Sequence, residues 1–369
     1  MAVILAARRT AVCPRGGAFR DLRIEDLAAP VVQAVLADAG MAGEQVDELI
    51  LANALGAGGN PARRVALLAG LPERVAGLSI DRQCAGGLDA ILLAGALVDN
   101  GAAEVVLAGG AESYSRRPAR AMPGPDGRLI PYDQAPFTPW PDRDPDMTAA
   151  AAALADRLGI SGAAQADWAV QSHAKARTMW AWPEIVPLAG VARDAFTRDL
   201  TPALAARAKS LVGSITAATA AVAADAAAFV LVLSEGRARD LPSGQGLRIL
   251  SGATRGGDPL EPGLAPLAAI RVALEQAGLA PSALEMAEVM EAYAVQAMAC
   301  VNGAGLAPGI VNRGGGALAR GHPIGASGAI LAVRLFHGLA QLGGSGPGLA
   351  GIAAAGGIGT ALVVERRHS

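Results

Sequence analysis

Two short segments carry side chains suited to nucleophilic chemistry. Cys84 follows Gln83 and opens the run Ala85-Gly86-Gly87-Leu88-Asp89-Ala90-Ile91-Leu92-Leu93, which reads as a nearly all-apolar helix over residues 84–98. A helix N-terminus presents unsatisfied N–H groups and partial positive charge, which favour a thiolate. The plain alternative is a buried, inert cysteine. His322 is held between Gly321 and Pro323, in a stretch that runs from Asn312 to Gly328 and is rich in glycine. A histidine with a restricted backbone and a clear approach suits a general base. Of the other three histidines, His173 and His337 sit in helical patterns and His368 is nearly terminal.

The elements that must position these residues alternate along the chain. Residues 2–6 read as a buried strand, 24–40 as a helix ending at a glycine, 48–52 as a strand, and 103–108 as a strand running into Gly109-Gly110. Residues 114–146 are crowded with Pro, Gly, Arg and Asp and mark a long irregular excursion. Helices follow over 148–158 and 165–179, and the Ala-rich stretch 215–233 reads as buried helix and strand. Strand and helix then resume at 247–251, 263–278 and 288–293. The sequences after Cys84 and after His322 each open a small-residue helix that leads to a strand beside Gly-Gly, at positions 109–110 and 356–357. The chain is therefore expected to be α/β, built from two copies of one unit.

Composition narrows the function classes. Apolar residues make up 52% of the chain and charged residues 17%, which argues for extensive burial rather than disorder. A formal net charge of −2 gives no general attraction to nucleic acid or acidic membranes. Cys13, Cys84 and Cys300 cannot all pair and match no zinc spacing, so no metal is expected and a reducing, cytoplasmic setting is. Nothing in the sequence reads as a signal peptide or a membrane span.

The motifs together resemble the thiolase superfamily along almost the whole length. The resemblance rests on Ala6-Ala7-Arg8-Arg9-Thr10, Asn60-Pro61-Ala62-Arg63, Gln83-Cys84-Ala85, Gly109-Gly110-Ala111-Glu112-Ser113, Ser172-His173-Ala174-Lys175-Ala176, Glu184-Ile185-Val186-Pro187, Gly321-His322-Pro323 and the closing glycine-rich turn, in that order. It implies a five-layered αβαβα fold. The N-terminal half would be residues 1–113 plus 223–243, the loop domain 114–222, and the C-terminal half 244–369. It further implies that Cys84 takes an acyl group from a thioester while His322 receives its proton. Backbone N–H groups of Cys84 and Ala355 would hold the oxyanion. Met147, Ala221, Gly321 and Gly357 are placed at the substrate. Coenzyme A thioester is then a substrate, with no tightly bound cofactor. An acyl carrier protein is the other possible donor, a homodimer is expected, and a tetramer through the long loop is open.

Three positions depart from that pattern. Where the family has an asparagine that orients a water, this chain has Met290, in Met290-Glu291-Ala292-Tyr293. Where it has a second cysteine acting as base, this chain has Ala353, and where a serine meets the pantetheine arm it has Ala221. Groups for forming an acyl-enzyme remain, while groups for carbanion chemistry are lost. The expectation is an acyltransferase whose acceptor is already nucleophilic. The alternatives are a true thiolase with a substitute base and a non-catalytic scaffold or partner subunit.

Overall fold

Strands covered on both faces read as near-continuous apolar runs, and the longest such runs here are buried along almost their full length. In the computed structural model, which describes residues 1–178, 183–239, 241 and 246–367, nine strands form the main path of one mixed sheet. They are β1 (Ala2–Thr10), β2 (Glu48–Ala52), β3 (Leu78–Ile80), β4 (Val105–Ser113), β5 (Ala224–Ser234), β6 (Leu247–Gly256), β7 (Met286–Val289), β8 (Gly348–Ala354) and β9 (Ile358–Arg366). Their order is β7-β8-β9-β6-β1-β5-β4-β2-β3.

The duplication is visible in strand direction. β2 runs parallel to β4, β4 antiparallel to β5, and β5 antiparallel to β1. β7 runs parallel to β8, β8 antiparallel to β9, and β9 antiparallel to β6. The halves join where Val3 of β1 pairs with Arg248 of β6. Helix Ile24–Ala39 covers one outer face and helix Ala265–Ala277 the other. Between the half-sheets lie helix Gly86–Asp99, which follows Cys84, and helix Ile324–Leu342, which follows His322. Leu88, Ile91, Ala329 and Ile330 from these two helices share one core with Val106, Val230, Ile352 and Leu362 from both half-sheets. The result is the five-layered αβαβα arrangement.

Glycine lets the two central helices meet backbone to backbone. A Cβ on Gly87 would lie 2.7 Å from the Ala329 nitrogen, and one on Gly328 would lie 2.4 Å from the Leu88 nitrogen. This contact brings the starts of the two helices, and so Cys84 and His322, side by side. Gly87 thus serves the neighbouring helix, while Gly86 faces β2, where a Cβ would lie 2.9 Å from Ala52 Cβ.

Between β4 and β5 the chain leaves the sheet. This excursion contains a hairpin (Arg120–Pro123 with Leu129–Tyr132) and helices Met147–Leu158 and Gly162–Thr178. Two expectations shift. Residues 215–233 contain no helix; Ile215–Thr216 pairs in a short ribbon and Ala224–Ser234 is β5, because ten buried residues in a row between two strands suit a central strand. The helix expected over 165–179 starts earlier, at Gly162, and its last expected residue, Met179, lies outside the described residues, as do the expected boundary at 243/244 and His368. No helix among the described residues is long and apolar enough to cross a membrane.

Candidate active site

Cys84 sits in a single 3-10 turn, Gln83–Ala85, between β3 and its helix. The chain turns sharply there because Gln83 takes φ +50° and its N–H donates to Asp81 Oδ1 at 2.8 Å. A left-handed conformation costs a non-glycine residue about 1–2 kcal/mol, a strain located at the residue before the nucleophile. Sequence reading merged this turn with the helix.

His322 Nε2 lies 3.2 Å from Cys84 Sγ, and Nδ1 lies 2.6 Å from Ser327 Oγ. Ser327 donates its own proton to the Pro323 carbonyl at 3.0 Å. A carbonyl only accepts, so Ser327 Oγ must accept from Nδ1–H. That fixes the tautomer and leaves the Nε2 lone pair facing the thiol. Ser327 was not singled out in the sequence as a functional residue. Its spacing of five from His322 on the following helix turn is the available signal.

Burial sets the charge state of the pair. It pushes the Cys84 thiol up to about 12, although hydrogen bonding from the backbone of Cys84 and Ala355 favours the thiolate. Burial also pulls His322 down to about 4. The resting pair is therefore neutral thiol and neutral imidazole. Iodoacetamide is expected to alkylate Cys84 slowly at pH 7, with the rate still climbing above pH 9. A plateau reached near pH 6 would contradict the neutral pair.

Glu112 ties the surroundings together. One oxygen accepts from Asn53 Nδ2 at 2.7 Å and the other from Gly325 N at 3.0 Å, at the start of the His322 helix; the Ala54 and Leu55 N–H groups also reach the carboxylate. Four donors favour the ionised form, but burial outweighs them and moves the carboxyl up to about 7.

A cavity of about 940 Å³ opens over the pair. Ala221, Met147, Ala353 and Ala355 line it, with Tyr293 and Thr148 hydrogen-bonded to each other at 3.0 Å. The segment carrying Ala221 threads between the other loops: Ala221 N donates to the Ala292 carbonyl at 2.9 Å, and His322 N donates to the Val222 carbonyl at 2.7 Å. Ala355 is not among the positive-φ residues of the described chain, so it bears no left-handed strain. Gly356 and Gly357 take that conformation instead, at φ +76° and +77°.

Three expected site residues are placed differently. Gly321 is not among the lining residues; it has φ +114°, and a Cβ there would lie 2.9 Å from Ala224 Cβ. Gly357 is also outside the lining, and its carbonyl accepts from Gly257 N at 2.7 Å. Both glycines sit where a side chain would collide with packed neighbours, Ala224 Cβ beside Gly321 and the Asp258 carbonyl beside Gly357. Met290 is buried in the central core, where a thioether fills apolar space, and does not line the cavity.

The remaining cysteines stay away from the chemistry. Cys13 is buried in the outer core and Cys300 donates to the Gly263 carbonyl at 3.2 Å; neither lines the cavity. His173 accepts from Arg198 N at 3.3 Å and His337 bonds the Ala7 carbonyl at 2.8 Å, so both serve packing.

The fold, with a cysteine and a histidine at the starts of paired central helices, defines the class of acyl-transferring enzymes. The family model for the thiolase N-terminal domain matches residues 2–236 and that for the thiolase C-terminal domain matches 246–366. The chain belongs to the thiolase family, and it is an acyltransferase. It is 38% identical over 374 residues to YhfS of Bacillus subtilis (strain 168), provisionally named an acetyl-CoA C-acetyltransferase, covering 99% of each chain. It is 37% identical to the acetyl-CoA acetyltransferase of Cupriavidus necator, again over 99% of each. The human mitochondrial 3-ketoacyl-CoA thiolase, solved in complex with CoA, superposes with a TM-score of 0.90 at 27% identity, over 99% of this chain and 97% of that one.

Proposed function

We propose that this chain transfers an acyl group from an acyl-CoA through a thioester on Cys84 to an acceptor that is already nucleophilic. The observation that carries this reading is the Cys84–His322 contact of 3.2 Å, facing a cavity wall where Ala353 offers only a methyl group.

In the first half-reaction the Cys84 S–H proton passes to His322 Nε2 as the sulfur attacks the thioester carbonyl. The Cys84 and Ala355 N–H groups hold the resulting oxyanion. The bond from carbon to the CoA sulfur breaks, and His322 returns the proton to that sulfur, leaving free CoA and acyl-Cys84. In the second half an amine, hydroxyl, activated aromatic carbon or water attacks the acyl carbon and gives its proton to His322. The Cys84 sulfur leaves and recovers the proton. No α-proton is removed from a second acyl-CoA in this sequence.

A second reading, a true acetyl-CoA acetyltransferase or 3-ketoacyl-CoA thiolase with a substitute base, is favoured by the names of the relatives at 38% and 37% identity. Tyr293 lines the cavity, but burial raises its pKa, which suits a proton donor better than a base. Assays of CoA release from acyl-CoAs with amine and alcohol acceptors, beside acetoacetyl-CoA thiolysis, separate the two. Acceptor-stimulated release with weak thiolysis supports transfer to a nucleophile, and fast thiolysis with no acceptor effect supports the second reading.

Family membership supports a cytoplasmic homodimer, and edge strand β3, whose Leu78 is 40% exposed, offers a surface for it. The division into residues 1–113 with 223–243, 114–222 and 244–369 belongs to the same reading.

A further inference from the structure

Three arginines meet at a small cavity beside the catalytic one. It holds about 270 Å³, and its walls include Arg15, Ser115, Arg117, Arg120, Tyr132 and Asp133. Arg120 pairs with Tyr132 across the hairpin and also lines the catalytic cavity, so the two spaces share a wall. The Arg15 and Arg117 guanidinium carbons lie 5.9 and 5.2 Å from the centre of the Tyr114 ring, and Tyr114 lines the catalytic cavity. A stacked guanidinium keeps its planar fork of donors pre-set, which suits a carboxylate or phosphate.

The local charge is not balanced. Arg117 pairs with Asp133 at 3.0 Å, but that aspartate side chain is 88% exposed, and such pairs are weak. Arg120 donates to a neutral carbonyl, that of Ala54, at 3.1 Å. Asp225, the buried carboxylate next to Arg15, is hydrogen-bonded by the N–H and hydroxyl of Ser115. Two carboxylates thus stand against three guanidiniums.

We propose that this cavity is an anion subsite that takes a carboxylate or phosphate group of the substrate while its thioester lies at Cys84. The inference deepens the acyl-transfer reading, and rests on it, by naming the substrate class as one with a second anionic group. The group could be the far end of the acyl chain or the 3′-phosphate of the CoA itself.

The test compares ω-carboxyacyl-CoAs of increasing length with neutral acyl-CoAs, in the wild type and in Arg15→Leu with Arg117→Leu. A drop in kcat/KM of about tenfold confined to ω-carboxy donors assigns the subsite to the acyl end. A similar drop with neutral acyl-CoAs that disappears with their 3′-dephospho-CoA counterparts assigns it to the CoA phosphate. Equal effects on all donors, or none, overturn the proposal. If the double variant does not fold, the melting temperature of Cys84→Ala is measured with succinate, inorganic phosphate and chloride at matched ionic strength. A rise with succinate or phosphate over chloride supports the subsite, and no rise with either overturns it. Anion-dependent stabilisation without acyl transfer from any donor would sink the acyl-transfer reading alone.

Discussion

His322→Ala is expected to slow acylation of Cys84 by about 10²–10⁴-fold, the usual worth of a positioned general base. The expectation follows from the neutral resting pair. Burial holds the thiol at about 12 and the imidazole at about 4, so a thiolate is not waiting and must be made during attack. Without His322 the proton has no acceptor at 3.2 Å. Ser327→Ala should cost much less, about 2–10-fold, since it removes one neutral hydrogen bond worth roughly 0.5–1.5 kcal/mol. Single-turnover release of CoA from an acyl-CoA measures both. A His322→Ala rate within about twofold of wild type would remove the imidazole from the mechanism, since it is far below the contribution of a general base. The pH profile carries a further sign. A base that falls to about 4 is lost only as pH drops through that value, so acylation should stay flat through mildly acid pH.

Ala353→Cys together with Met290→Asn should raise acetoacetyl-CoA thiolysis, by about 10²–10⁴-fold if a missing acid–base group is the limit. The two substitutions do not contribute alike. Ala353 lines the cavity, so a thiol there reaches the substrate space. Met290 is 1% exposed within the core, and an amide there leaves buried polar atoms that cost about 1–3 kcal/mol each when unpaired. Ala353→Cys alone should therefore supply most of the gain, at a smaller loss of melting temperature. If the single and double variants both leave thiolysis unchanged, the methyl group at 353 is not what restrains carbon–carbon chemistry.

Much of this was legible in the residues. The strand at Glu48–Ala52 and the helix ending at Gly40 follow from apolar period and a left-handed glycine cap, which are local properties. Cys84 and His322 stood out because each opens a small-residue helix, and the fold brings those openings together. What local reading missed depends on tertiary partners. The tautomer rests on Ser327 and a carbonyl, and the turn at Gln83 rests on Asp81. The neighbours that crowd Gly321 and Gly357, Ala224 Cβ for the first and the Asp258 carbonyl for the second, also come from distant parts of the chain. The Ala-rich stretch that holds β5 misled for a related reason. Alanine favours helix in isolation, and only pairing with β1 and β4 makes that stretch a strand.

The most direct test of the covalent step is intact mass after incubation with a panel of acyl-CoAs and one acyl carrier protein thioester, beside Cys84→Ala and with free thiol monitored. The account predicts an acyl mass increment on the wild-type chain that is absent from Cys84→Ala, with one CoA released per increment. No increment and no released thiol with any donor would contradict it and move the chain to a supporting role beside a partner enzyme.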